Sequence, residues 1–228
     1  TSTVYLETLG YTPLLTFSAA PHDEVRLMIK RAVDVAIAAV GLIVLAPFMA
    51  LITVLIRLTS PGPAIFKQVR CGLNGRRFVF YKFRSMCENA ESLKPQLMHL
   101  SRRKTAFKIP DDPRLTPVGR WLRKFSIDEW PQLWNVLKGD MSFVGPRPER
   151  PYFVDQLTQQ IPFYAVRHCV KPGVTGWAQV RYQYGASVDD AAEKLQYDLY
   201  YVKNHSLILD TLVLFETVRV VLTGEGAH

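Results

Sequence analysis

Cysteine is scarce in this 228-residue chain: Cys71, Cys87 and Cys169 lie far apart, and no two form a C-x-x-C pair. That spacing points to neither a zinc site nor a disulfide framework, and it fits a reducing, cytosol-facing environment. Internal repeats and low-complexity tracts are also missing. Acidic residues are in deficit, 20 against 28 Lys plus Arg, which leaves a formal charge of +8 and favours an anionic partner. No Met opens the chain, and residues 1–24 lack the basic n-region, apolar core and small-residue cleavage site of a signal peptide. We expect residues 1–24 to be a linker or the tail of an upstream region, with Thr12-Pro13 and Ala20-Pro21 biased away from helix.

What is present in abundance is apolar sequence between residues 35 and 56. VAIAAVGLIVLAPFMALITVLI carries no charge, and Thr53 is its only hydroxyl. As a helix it is about 33 Å long, against a hydrocarbon core of about 30 Å, so length alone suggests a membrane span. Two features suggest instead that the helix enters and returns. Pro47 removes a backbone donor near the middle of the run, where a break at Ala46-Pro47 is expected. Basic residues flank both ends, with Arg26, Lys30 and Arg31 before the run and Arg57, Lys67 and Arg70 after it. A straight span would strand one basic flank on the wrong side; a re-entrant helix keeps both on the same face. Backbone groups freed at the break need partners in lipid, and Thr53 is the side chain at hand.

Beyond Ser60-Pro-Gly-Pro63, residues Ile65–Arg70 and Arg77–Phe83 alternate around Gly72-Leu-Asn-Gly75, which predicts a β-hairpin. Met86–Arg103 is polar and helix-permissive despite Pro95, and Asp111–Arg114 reads as a turn. Helices are expected over Val118–Lys124, Ile127–Leu137, Val188–Asn204 and Leu207–Leu222. The last carries Asp210, Glu216 and Arg219, which favours packing or an interfacial position over a span. Pro146, Pro148 and Pro151 predict a rigid extended connection, Pro172–Gly176 a loop, and Ala178–Tyr182 a short strand.

Ser126-Ile-Asp-Glu129 has two readings. As a capping box, Ser126 caps a helix and Glu129 reaches back to it. As a site, Asp128 stands at a helix N-terminus that would favour its ionised form, and an ionised Asp can act as a nucleophile. Adjacent carboxylates cannot bracket a sugar as glycosidase acids do. They suit phosphoryl chemistry, with one attacking phosphorus and the other holding Mg²⁺. Basic residues gather in loops at Lys82-Phe-Arg-Ser85, Arg123-Lys124 and Gly145-Pro-Arg-Pro-Glu149. Pro146 and Pro148 fix the backbone around Arg147, which aims its guanidinium at little entropic cost. No nucleic-acid reading motif accompanies these charges, so nucleic acid is not an expected partner. Tyr197, Tyr200 and Tyr201 read as core or interface residues, and the isolated His168 and His205 as structural.

Several separated motifs together resemble the bacterial sugar transferases of the monotopic phosphoglycosyl transferase superfamily. They are Lys30-Arg-Ala-Val-Asp34, Ser60-Pro-Gly-Pro63, Tyr81-Lys-Phe-Arg-Ser-Met86, Asp112-Pro-Arg114, Leu122–Glu129, Leu137–Pro148 and Lys171–Gln179. The resemblance implies a mostly helical α+β monotopic membrane protein with a Pro-broken re-entrant helix over 25–60, a small β-hairpin, interfacial amphipathic helices, and a catalytic domain over 61–228 on the cytoplasmic face of the bacterial inner membrane. It implies transfer of a phosphosugar from a UDP-sugar to polyprenyl phosphate with release of UMP, as the initiating step of glycoconjugate synthesis. Glucose and galactose are the default sugars. By the same resemblance Asp128 is the nucleophile and Glu129 assists Mg²⁺; Arg123 and Arg147 match phosphate- and nucleotide-contacting positions. Lys82, Arg84, Ser85, Pro146 and Pro148 belong to the same substrate-binding motifs, and a homodimer is a family-level expectation. Many members carry Ser-Pro at the membrane break, whereas this chain has Ala46-Pro47. A direct single-step transferase with Asp128 as general base, and a non-catalytic scaffold of polysaccharide assembly, are the competing readings.

Overall fold

The computed structural model describes residues 3–9, 12–18, 24–90, 92–93, 112–182 and 187–223. Among them the chain is mostly helical, with one long apolar helix and three two-stranded sheets. Strands β1 (Thr3–Leu9) and β2 (Thr12–Ser18) pair antiparallel within the stretch expected to be only a linker or tail.

Helix α1 runs from Glu24 to Thr59 and stays helical through Ala46-Pro47, so the expected break is not an interruption. A proline at φ near −65° is compatible with helix geometry, and its cost is confined to one lost hydrogen bond and the turn before it. Thr53 does not serve that turn: its hydroxyl donates to the Met49 carbonyl at 2.8 Å. Along α1, Asp34, Ala38, Ile52 and Ile56 are buried, and a Cβ added at Gly41 would lie 3.2 Å from the Leu133 side chain. Steps of three, four and eleven residues, the last about three full turns, put these positions on one stripe that rests on the folded body over both halves of the helix. Its other faces stay exposed and apolar, including Ile43, Val44, Phe48, Leu51 and Leu58.

The predicted hairpin forms as strands β3 (Ile65–Cys71) and β4 (Arg77–Phe83), with Cys71 opposite Arg77 and Ile65 opposite Phe83. Asn74 and Gly75 both take positive φ, 53° and 72°, as Asn-Gly readily does in tight hairpin turns. Asp112–Arg114 turns as predicted, closed by Leu115 N–H donating to the Asp112 carbonyl at 3.0 Å. The stretch 86–103 lies largely outside the described residues.

Helix α2 (Pro117–Lys124) follows, with Thr116 capping it through the Gly119 amide. The single helix expected over 127–137 is instead a 3-10 turn, Ile127–Glu129, followed by α3 (Gln132–Lys138). Pro131 has no N–H to give to the Ile127 carbonyl, which is taken by Trp130 N–H at 3.2 Å in the tighter i→i−3 pattern. Gly139, at φ 92°, ends α3.

Strands β5 (Ser142–Val144) and β6 (Gly173–Thr175) pair in parallel, so Pro172–Gly176 is a strand flanked by turns rather than a plain loop. Between them lie α4 (Pro151–Gln160) and a 3-10 segment, Tyr164–Cys169, neither of which is among the elements expected from the sequence. Residues 178–182, read as a strand, belong mainly to helix α5 (Trp177–Arg181). Helices α6 (Val188–Asn204) and α7 (Leu207–Thr223) match their predicted extents to within a residue. The capping box that Ser126 lacks is present at Ser187 and Asp190.

The core forms where α1 meets this body. Ile52 and Ile56 pack with Phe83, Leu122 and Ile127, while Ala38 packs with Phe80, Val136 and Met141. Polar ties lock α1 in place: Arg31 donates to the Val136 and Leu137 carbonyls at 2.6 and 2.8 Å, caps that α3 needs. Asp34 accepts from Phe143 N–H at 3.2 Å, and Lys30 pairs with Asp210 of α7. Asp210 also accepts from Tyr201, so the charge in this apolar helix is buried and paired. Buried Asn135 fastens α3 to β4, accepting from Tyr81 N–H at 3.1 Å and donating to the Val79 carbonyl at 2.7 Å.

Candidate active site

The hairpin, the 3-10 turn and the proline-rich segment after β5 converge on Asp128. The residue is buried at 5% exposure, and Lys82 on β4 brings Nζ to 3.8 Å from Oδ2. The backbone that holds Asp128 begins with Ser126 in the left-handed region at φ 54°, and the Ser126 hydroxyl makes no capping bond. The capping-box reading is therefore corrected. Ser126 and Pro131 instead bound a one-turn corner that carries two consecutive carboxylates, Asp128 beside Lys82 and Glu129 beside Arg147.

Glu129 faces Arg147, whose Nη2 donates to Oε1 at 2.6 Å. The flanking prolines frame that arginine through their carbonyls. Pro146 accepts from Gly173 N–H at 3.0 Å, and Pro148 accepts from Arg70 Nη1 at 2.8 Å. The Arg147 carbonyl itself accepts from Arg167 Nη2 at 3.0 Å.

Arg123 and Ser85 also meet, with the guanidinium Nε donating to the Ser85 hydroxyl at 2.9 Å. Their contact depends on Gly119, because a Cβ there would lie 1.9 Å from the Ser85 carbonyl oxygen. Arg84 is buried and turned toward the end of α1, donating to the Ser60 carbonyl at 2.6 Å. The structure thus gathers Lys82, Ser85, Arg123, Asp128, Glu129 and Arg147, while Arg84 holds the loop that leaves the apolar helix. Ala46 and Pro47 stand apart from this cluster, within α1.

Burial pushes the Asp128 carboxyl above its ordinary value, and neighbouring Glu129 adds to that; Lys82, Arg123 and Arg147 oppose it. This corrects the expectation that a helix terminus would favour the ionised form. Burial likewise lowers Lys82, to about 8, although Asp128 favours its charged form. For Glu129 burial pushes upward, but the charge and hydrogen bond of Arg147 win and hold it below its ordinary value. The Gln132 amide favours the ionised Glu129, yet its buried Nε2 makes no hydrogen bond of normal geometry. Two neighbouring acids are thus pushed apart in acidity by their surroundings, a pattern of functional sites.

Among the described residues, no group of three or more His, Cys, Asp or Glu side chains comes together as a metal cage. Mg²⁺ often takes only one or two protein carboxylates and completes its shell with water and phosphate oxygens. A single carboxylate such as Glu129, beside bound phosphate oxygens, is a donor set that suits an ion of that kind.

Sequence spacing gave no signal for the buried support of Arg147. Arg167 donates to Asp198 Oδ2 through Nε and Nη2 at 3.0 and 2.7 Å, and to the Tyr164 hydroxyl at 3.1 Å. Arg70 and Lys194 approach Glu149 at 3.7 and 3.6 Å, which steadies the other end of the same segment.

The model of one protein family, described as bacterial sugar transferase, matches residues 25–224. The chain is 49% identical over 200 residues to the UDP-N-acetylgalactosamine-undecaprenyl-phosphate N-acetylgalactosaminephosphotransferase of Aeromonas hydrophila, covering 88% of this chain and 45% of that one. It is 37% identical over 225 residues to the UDP-glucose:undecaprenyl-phosphate glucose-1-phosphate transferase of Escherichia coli K12, covering 98% of this chain and 46% of that one. Against the uncharacterized sugar transferase EpsL of Bacillus subtilis identity is 43% over 201 residues, covering 88% of this chain and 90% of the relative. The chain thus spans less than half the length of the first two relatives and nearly all of the third. With the family model matched across residues 25–224 and 43% identity to a relative covered almost end to end, the chain belongs to the bacterial sugar transferase family.

Proposed function

We propose that this protein transfers a sugar phosphate from a UDP-sugar to undecaprenyl phosphate and releases UMP. The observation that carries the reading is the buried Asp128 carboxylate, which has a lysine ammonium 3.8 Å away and Arg123 and Arg147 bearing on it. Such a cluster of fixed cations is suited to receive a diphosphate, and the carboxylate among them can attack it.

In the first step an Asp128 carboxylate oxygen attacks the sugar-bearing phosphorus. The bond from that phosphorus to the bridging oxygen breaks, and UMP departs with the electron pair. In the second step an oxygen of undecaprenyl phosphate attacks the same phosphorus, the acyl phosphate bond breaks, and Asp128 returns as a carboxylate. Lys82, Arg123 and Arg147 position and neutralise the phosphates, and Glu129 would hold a Mg²⁺ ion. When bound, that ion spreads the negative charge of the phosphates.

The raised pKa of Asp128 favours one rival role, that of general base in a direct transfer. An acceptor phosphate needs no such base, since phosphate monoesters are largely ionised at neutral pH, with a second pKa of about 6. Covalent catalysis also lets a water-soluble donor and a lipid acceptor use one site in turn.

The stripe on α1 supports a monotopic reading: both halves of the helix rest on one folded body, and in this proposal α1 lies in a single leaflet with its two basic flanks facing the cytoplasm at the inner membrane. Single cysteines introduced at exposed Glu24 and Thr59, in a background without the native cysteines, should label from the same side. Labelling from opposite sides would restore a simple span.

Activity is tested with purified protein, polyprenyl phosphate and a panel of UDP-glucose, UDP-galactose and UDP-N-acetylgalactosamine. UMP release with at least one donor is expected. Release with none of them, and no lipid-linked product, would leave a scaffold role.

A further inference from the structure

Gln132 opens α3 and is among the most completely enclosed side chains of the molecule, at 1% exposure, yet its Nε2 has no hydrogen-bond partner. A primary amide carries two N–H donors on that nitrogen, and leaving them unmet in the interior destabilises the fold. The backbone places this orphan beside Glu129. Trp130 (φ −54°, ψ −36°) and Pro131 (φ −60°, ψ −14°) are both right-handed helical, so Glu129 and Gln132, three residues apart, stand as neighbours on one side of the turn. The amide is near enough to favour the ionised carboxylate but closes no bond with it. Glu129 is held instead by Arg147, whose Nη2 donates to Oε1 at 2.6 Å.

We propose that Gln132 is a positioning residue that takes over Glu129 when Arg147 turns from it to a phosphate of the bound donor. The proposal rests on the reading that Glu129 serves a divalent cation beside that phosphate.

Charge is the first reason. A guanidinium seated on the Glu129 carboxylate repels a dication at the same oxygens, so the pair seen here and a cation-bearing Glu129 exclude one another. Arg147 has to give way.

Freedom to move is the second. The backbone around Arg147 is fixed, because the carbonyls of Pro146, Arg147, Pro148 and Glu149 accept in turn from Gly173 N–H, Arg167 Nη2, Arg70 Nη1 and Cys71 N–H. Its side chain, by contrast, is 39% exposed and can turn without disturbing that frame. Gln132 stays where packing holds it.

Hydrogen-bonding capacity is the third. Once Arg147 has left, Glu129 lacks its donor, and the amide that lacks an acceptor stands next to it. One carboxylate oxygen on Gln132 Nε2 leaves the other to face the cation. Because Gln132 is already immobile, closing this bond costs little further rotamer freedom. Arg147 thus neutralises Glu129 in the empty site and phosphate in the filled one, and Gln132 keeps Glu129 oriented after the exchange.

The test uses the full chain in detergent or nanodiscs and two variants, Gln132→Met, which keeps the length without the donors, and Gln132→Asn, which keeps the amide but withdraws it by one methylene. Calorimetry reads UDP binding with and without Mg²⁺. In the wild type Mg²⁺ should tighten UDP. In both variants that tightening should shrink about tenfold, the equivalent of one hydrogen bond of about 1.4 kcal/mol, while metal-free UDP affinity stays within about twofold of wild type. Thermal unfolding without ligand separates this from a structural role. Gln132→Met should melt about 2–4 °C higher, because the orphaned donors are gone. Gln132→Asn should melt lower, because a packed interior loses a methylene. Loss of tightening in both variants, with midpoints moving in opposite directions, supports the exchange. Tightening that survives in Gln132→Met, or a midpoint that falls there, overturns it. Absence of tightening in the wild type would refute the cation at Glu129 itself, and the exchange with it.

Discussion

Replacing Lys82 with Met removes a cation 3.8 Å from Asp128 while keeping most of the side-chain volume. At that distance, with an effective dielectric constant of about 20, the attraction is worth about 4 kcal/mol. Each pH unit corresponds to about 1.36 kcal/mol, and observed effects of one opposite charge on a carboxylate run from about one to three units. In the wild type, activity should rise as Asp128 ionises and fall as pH passes about 8, where Lys82 loses its proton. A profile of kcat/KM against pH for UMP release would read both limbs. In Lys82→Met the acidic limb should move upward by about one to three pH units, and the alkaline limb near 8 should disappear. The rate at the optimum should drop about 10²–10³-fold, as for loss of one preorganised charge-stabilising group. An acidic limb that stays in place would refute the view that Lys82 keeps the buried carboxylate ionised.

Arg147→Lys should fail to restore what Arg147→Ala loses, because the guanidinium both meets Glu129 at 2.6 Å and presents a planar fork to phosphate; a KM raised at least about tenfold in both variants checks this. Asp198→Asn leaves Arg167 as a buried charge without its carboxylate, and breaking such a pair costs about 3–5 kcal/mol. Its thermal-unfolding midpoint should fall by about 10 °C, with a further loss of activity as the frame behind Arg147 loosens. Gly119→Ala should lower the midpoint by about 2–10 °C through overpacking against Ser85. An alanine variant as stable and as active as wild type would show that α2 can withdraw without disturbing Arg123.

Local chemistry made much of the fold legible. Asn74-Gly75 and the alternation around them placed the β3–β4 hairpin, and the aromatic-rich run of α6 and the mostly apolar run of α7 placed those helices almost to the residue. The errors arose where a proline or a tertiary contact overruled local preference. Pro131 divided one expected helix into a 3-10 turn and a short α-helix, which changed the field around Asp128 from a helix terminus to a buried corner. Gly173–Thr175 became a strand only because β5 lies beside it, a partnership 31 residues away in sequence that no local pattern displays. In the site, Lys82, Arg123, Asp128, Glu129 and Arg147 could be named from short motifs because each sits on a distinctive local backbone. Arg167 and Asp198 could not, since their importance is a buried contact between distant segments.

The central claim is that Asp128 becomes covalently bonded to the sugar phosphate, and intact-protein mass spectrometry tests it most directly. Protein mixed with UDP-sugar and Mg²⁺, without lipid acceptor, should gain the mass of one sugar phosphate on the peptide containing Asp128 and release one equivalent of UMP. Added polyprenyl phosphate should remove the adduct, and Asp128→Asn should never form it. UMP release that requires the acceptor from the outset, with no adduct on Asp128, would contradict the account.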